Sequence, residues 1–337
     1  MQMNGLRVSD RLVRLEQVFT DQWDPRLVPL YRKLAADRIN ISFLYLNYLV
    51  PAKQISCLVE PETLTRLTRD SVPGGVEPVK PDASAAAGLV SAFPHRFDPA
   101  AIGTMLRAVA QTEIEWHCMA SSGSMLAIAT DYATQKQAVD AVAGGIGLPE
   151  NHVPVFPGQD YDPIARSLKT APETVARYVE SKIKTYGIQV YTGLTLCSLR
   201  LRADALEKWS RAVSEKGCRF FYACAAPMEN ERVNLEVLLD AGEPETRDFD
   251  IAADTPCADT SPDNSATVRE KAEMICFHGP HFGDRYGIAD KALGRIAQAG
   301  VPVWLAGCVG ATVSIVLPPH AAKKATKALS AAFEMPD

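Results

Sequence analysis

The chain has 337 residues, of which 47% are hydrophobic and 22% charged, and its formal net charge is −5. That balance excludes a disordered chain and leaves no basic footprint for DNA or RNA. The length is too great for one ordinary compact core and suits two to four small domains.

The first ten residues lack the charged and apolar regions of a signal peptide. No apolar run reaches the roughly 20 residues of a membrane-spanning helix, so a cytoplasmic location with no membrane partner is expected. A repeat then emerges. Residues 19–25 read FTDQWDP and residues 93–99 read FPHRFDP, each after a β-like run and before a helical pattern. The two Asp-Pro pairs lie 98 − 24 = 74 residues apart. Asp suits a helix N-cap and Pro the first helical position. Leu27, Leu30, Tyr31 and Leu34 share a helical face after the first pair, and Ile102, Leu106 and Val109 do so after the second. Each helix gives way to β-rich residues: Ile41, Phe43 and Tyr45, then 54–59, in the first copy; 114–119, then Met125, Ala127 and Ala129, in the second. Second helices are predicted over 62–69 and 133–143, and 152–156 supplies a closing strand.

The third copy is less regular. Residues 194–201 read as a strand, Leu206, Trp209 and Val213 mark a helix, and 218–225 with 233–239 form a hairpin. In a second register, a helix over 173–184 comes first and the 206–213 helix is the unit's second. Residues 242–267, rich in Asp, Pro, Ser and Thr, read as a linker or surface loop. The fourth copy is the clearest. A strand over 272–277 and a loop over 278–286 lead to a helix with Ala289, Leu293, Ile296 and Ala297 on one face. A hairpin of 301–305 and 312–317 follows, then a helix with Ala322, Ala325, Leu329, Ala332 and Phe333 on one stripe. The expected fold is α+β: tandem ferredoxin-like βαββαβ modules over 8–80, 86–158, 171–241 and 268–335, with antiparallel sheets and helices on one face.

Seven of the eight cysteines (Cys57, Cys118, Cys197, Cys218, Cys224, Cys276 and Cys308) lie in or beside apolar runs without a CxxC pair, which suits buried free thiols. Cys257 sits in a polar stretch and is the expected exposed thiol.

The run Gly287-Ile-Ala-Asp-Lys-Ala-Leu-Gly-Arg-Ile-Ala-Gln-Ala-Gly-Val-Pro-Val303 resembles the first-helix segment of ACT domains, particularly those at the C-terminus of aspartokinases. Residues 311–333 resemble the third strand and closing helix of that family, and 121–129 with 133–142 form a weaker second match. The resemblance covers about two thirds of the chain and implies a non-catalytic, amino-acid-binding regulatory role, with a regulated enzyme as partner. No Lys-Phe-Gly-Gly kinase signature occurs, so the kinase domain is expected to be absent. The family's His-Pro-Gly before the first helix is replaced by Asp284-Arg-Tyr-Gly287 in the last copy and by Asp98-Pro99 in the second, so preferences such as lysine or threonine do not carry over.

In that family the ligand lies between the first strand-to-helix loop of one unit and the hairpin of its neighbour. A helix N-terminus offers free N–H groups to a carboxylate, a nearby Asp accepts from an ammonium group, and Gly allows close approach. The candidate ligand residues are therefore Asp284, Arg285, Tyr286, Gly287, Ile288 and Ala289, followed by His95, Arg96 and Asp98. Their plainer reading is helix capping for Asp98 and solvated loop charge for Asp284 and Arg285. His278 and His281 invite a metal, but no third ligand stands at fixed spacing, so neither metal nor cofactor is expected. No histidine pairs with Cys or Ser as in a triad, and Gly144-Gly-Ile-Gly147 reads as a helix end and not as a dinucleotide fingerprint. A structural role with degenerate pockets is the second reading, and an enzyme with a site between modules the third. Exposed sheet edges would drive pairing of modules within the chain or a homodimer.

Overall fold

The computed structural model describes residues 3–19, 27–49, 53–63, 86–112, 114–149, 183–240, 242, 265–279, 282 and 285–334. The expected Asp24-Pro25 cap, the helix beyond residue 63, the 152–156 strand, Cys257, His281 and Asp284 lie outside them.

Four times a strand leads through a helix into a two-stranded hairpin. The first unit is β1 (Gly5–Val8) and β2 (Leu12–Phe19), α1 (Leu27–Ala36), β3 (Ile41–Asn47) and β4 (Lys53–Val59). The second is β5 (Ala86–Phe93), α2 (Ala100–Ala110), β6 (Trp116–Ser121), β7 (Leu126–Asp131) and α3 (Gln135–Gly145). After the short β8 (Ile183–Lys184), the third is β9 (Ile188–Arg202), α4 (Ala203–Glu215), β10 (Arg219–Pro227) and β11 (Arg232–Asp240). The fourth is β12 (Ser265–His278), α5 (Ile288–Gln298), β13 (Leu305–Val309), β14 (Thr312–Leu317), α6 (Ala322–Ser330) and β15 (Phe333–Glu334). In the third unit Leu206, Trp209 and Val213 belong to the helix between β9 and β10, while the alternative first helix over 173–184 lies outside the described residues up to 182 and ends in β8. The strand β12 opens at Ser265, so the last residues of the expected linker are extended.

Within every unit the strands lie in the order first, third, second: β2-β4-β3, β5-β7-β6, β9-β11-β10 and β12-β14-β13. A helical crossover joins two parallel strands one place apart, and the returning hairpin strand fills the gap antiparallel to both. Units then join edge to edge. Second strands pair with second strands, β3 with β13 and β6 with β10. First strands pair with first strands, β9 with β12, and β1 and β2 in succession along β5. The β5–β7 pairing closes the sheet on itself. Among the described residues, the strands of this closed sheet thus find their partners within the chain.

Both faces of this closed sheet are buried, which explains why its strands read as nearly continuous apolar runs and not as alternation. On one outer face α2, α3 and α4 set Ile102, Leu106, Val142, Leu206 and Trp209 on Val90, Ile128, Leu199 and Leu235. On another α1, α5 and α6 set Leu30, Leu34, Ala292, Ile296 and Leu329 on Leu15, Leu44, Ile275 and Ile315. The inner face carries a third core from all four units, including Phe43, Tyr45, Ala120, Ala129, Leu196, Tyr222, Met274 and Val316. Small residues let its walls approach: a Cβ added at Gly307 would stand 2.5 Å from the Tyr222 hydroxyl. Six cysteines are buried free thiols and Cys308 is half-buried. No helix among the described residues is long and apolar enough to cross a membrane.

Candidate functional site

The closed sheet brings helices of different units side by side, α1 beside α5 and α2 beside α4, and the two pairs differ. Between α1 and α5 lies a narrow groove with about 30 Å³ of open space. That space holds roughly two waters, at about 10–15 Å³ each. Its first wall comes from unit one, with Tyr31, Leu34, Ile39 and Leu44 among its residues. The second comes from unit four, with Ile288, Leu293, Ala306 and Val313.

Sequence-predicted residues meet here. Arg285, Gly287, Ile288 and Ala289 all line the groove. Gly287 adopts φ 82°, a left-handed conformation that favours glycine, and turns the chain into α5. No side chain caps that helix; its first turn closes with Lys291 N–H donating to the Gly287 carbonyl at 3.0 Å. The N–H groups of Ile288, Ala289 and Asp290 precede that bond, and this end of the helix carries partial positive charge. Asp290 also lines the groove; burial raises its carboxyl above the ordinary value, with Arg32 and Lys291 opposing. Burial lowers the Lys291 ammonium, and Arg285 adds to that effect. Burial of its sulfur pushes the Cys308 thiol, also in the lining, up to about 12. Tyr286 is 42% exposed and outside the lining.

Sequence reading missed Asp290 and the whole unit-one wall. Asp290 was detectable as an acidic residue in the first helical turn. The wall of Tyr31, Leu34 and Ile39 carries no local signal, since only long-range strand pairing brings it to α5.

His95, Arg96 and Asp98 stand at the matching loop of unit two, where the neighbour closes down on them. His95 is buried; its Nδ1 accepts from the Phe97 N–H at 2.9 Å, which leaves Nε2–H to donate to the Ser122 carbonyl at 2.8 Å. Burial lowers its pKa, so the ring is a neutral strut. Asp98 Oδ1 accepts from Ala100 N–H at 2.9 Å, as a cap, and from Ser214 Oγ of unit three at 2.7 Å. Arg96 is exposed, at φ 53°. Phe220 N–H donates to the Phe97 carbonyl at 2.9 Å, stapling the loop to β10. Farther along, α2 and α4 touch through Gly103, and Arg107 and Arg211 pair with the buried Glu207. This pair of helices is joined by close contact and ion pairs, whereas a narrow groove runs between α1 and α5.

His278 stacks against Tyr186 with ring centroids 5.3 Å apart. Among the described residues no three of His, Cys, Asp and Glu cluster as a metal site would require.

In class, the structure is similar in fold to an aspartate kinase. The aspartate kinase of Synechocystis matches 98% of this chain with a TM-score of 0.73 at 13% identity, a likeness of fold. The chain spans 56% of that enzyme's length. The regulatory subunit of aspartate kinase from Thermus flavus matches 45% of this chain and 99% of its own, at 16% identity and a TM-score of 0.35. That from Thermus thermophilus, in ligand-free form, matches 44% of this chain and 99% of its own, at 14% identity and 0.36. No protein-family model matches the sequence, and no curated protein does.

Proposed function

We propose that the chain is a non-catalytic regulatory protein built from four ferredoxin-like, ACT-type units, and that it binds a small molecule, an α-amino acid, between α1 and α5. The observation that carries this reading is the groove itself: two units contribute its walls, and the uncapped start of α5 opens on it. A ligand carboxylate would accept from the N–H groups of Ile288 and Ala289, and Asp290 would receive the ammonium. The enclosed space is smaller than any amino-acid side chain beyond a methyl or two, so binding would part α1 from α5. A ligand that prefers the parted state shifts the population toward it. That movement is the signal a regulated enzyme would read, in keeping with the resemblance to aspartokinase regulatory regions. The α2–α4 pair favours a structural role for the other half, because its loop and helices are bonded shut.

Thermal-shift measurements of the full chain against the twenty amino acids test this. Ligand at about 100 times its dissociation constant adds about 2.7 kcal/mol, which raises Tm by several degrees. Ala289→Trp should fill the groove and abolish the shift while the protein stays folded. No shift with any amino acid, or a shift that survives Ala289→Trp, defeats the reading.

A further inference from the structure

Tyr31, on the unit-one wall of the α1–α5 groove, is only 2% exposed, and its hydroxyl has no hydrogen-bond partner among the described residues. A buried hydroxyl is ordinarily bonded, and one left unpaired weakens whatever state leaves it so. Burial raises its pKa, with Cys57 and Tyr48 adding to that, so the phenol stays protonated and can both donate and accept. The wall around it is apolar, with Leu34, Ile39 and Leu44, and Asn40 is its one other polar residue. The charged residues of the lining, Arg285 and Asp290, belong to the opposite wall, at the start of α5.

Position along the groove adds a second constraint. Ala35 lies one helical turn beyond Tyr31 on α1, and its methyl carbon is 3.5 Å from where a Cβ on Gly287 would stand. Tyr31 is therefore set about 5 Å along α1 from the point where α5 begins. A ligand held by its carboxylate at α5 meets the Tyr31 hydroxyl only with the far end of its side chain.

We propose that Tyr31 sets the ligand's class: an α-amino acid whose side chain ends in a neutral carboxamide, at glutamine length, bonded to the Tyr31 hydroxyl. This specificity rests on amino-acid binding between α1 and α5. An apolar end of the same length, as in methionine, would leave the hydroxyl without a strong partner and expel any water that serves it. A charged end, as in glutamate, would be stripped of water among leucines and isoleucines with one neutral hydroxyl in return. The hydroxyl of serine, carried on a single methylene, falls short of Tyr31.

Calorimetric titration of the full chain with glutamine, glutamate and methionine, side chains of nearly one length, tests this. Glutamine should bind at least about tenfold more tightly than either of the others. Tyr31→Phe, which removes one oxygen, should weaken glutamine about tenfold and leave methionine unchanged or tighter, so that the preference collapses. In the free protein the same change should leave Tm unchanged or raise it, because no bond is lost. A glutamine preference that survives Tyr31→Phe, or a Tm several degrees lower in that variant, overturns the role of Tyr31. Methionine or glutamate binding as tightly as glutamine, and lost in Ala289→Trp, overturns it too while the groove stands. Binding by none of the twenty amino acids removes both.

Discussion

A histidine held neutral by burial makes folding sensitive to acid, and His117 on β6, its side chain only 10% exposed, is such a residue. Its folded pKa of about 4 lies below the ordinary 6.5. The unfolded chain therefore binds a proton that the folded chain refuses as pH falls from about 6.5 toward 4, and stability declines over that window. Between pH 7 and 5 the loss is on the order of 1–2 kcal/mol. Urea midpoints at the two pH values should fall further apart in the wild type than in His117→Gln; equal spacing would remove the assignment. At this scale some chemistry was legible in the sequence. The Asp98-Pro99 pair signalled a capped helix, and Asp98 does accept from Ala100 N–H. Its bond to Ser214 was not legible, because a hydroxyl 116 residues away carries no local pattern.

Helix pairs show how one topology gives two outcomes. On α2 a Cβ at Gly103 would meet Ser210 Oγ at 2.0 Å and the Glu207 Cα at 2.7 Å. Alanine normally gains about 1 kcal/mol over glycine in a helix, but here backbone must move, at a cost of roughly 1–3 kcal/mol. Gly103→Ala should therefore lower stability. On α5 a Cβ at Gly294 meets nothing within 4 Å, so Gly294→Ala should raise stability by up to about 1 kcal/mol. Denaturant midpoints of opposite sign for the two variants support the close approach of α2 and α4 at Gly103. Loss or gain in both would contradict it. The helices themselves were readable from apolar spacing, as Leu206, Trp209 and Val213 on α4 illustrate. Their partnering was not, since spacing marks the buried face and says nothing of what covers it.

At the scale of the molecule, the strand-helix-hairpin repeat was legible because each unit folds on local signals: a strand, a helix start and a β-rich hairpin. Closure was not. Pairing β3 with β13 joins residues some 260 positions apart, as Leu44 opposite Cys308 shows. Burial of both sheet faces also removed the alternation that would have marked an inner surface. Closure also makes the α1–α5 groove, by placing unit one against unit four, and the proposed regulation depends on that groove. Methyl-resolved NMR of the full chain, titrated with pooled amino acids, tests it most directly. Binding in the groove should shift Ile39, Ile41, Leu44, Ile288, Leu293 and Val313 and leave Ile102, Leu106 and Leu206 unmoved. An unchanged spectrum, or shifts confined to the methyls beneath α2 and α4, would contradict it.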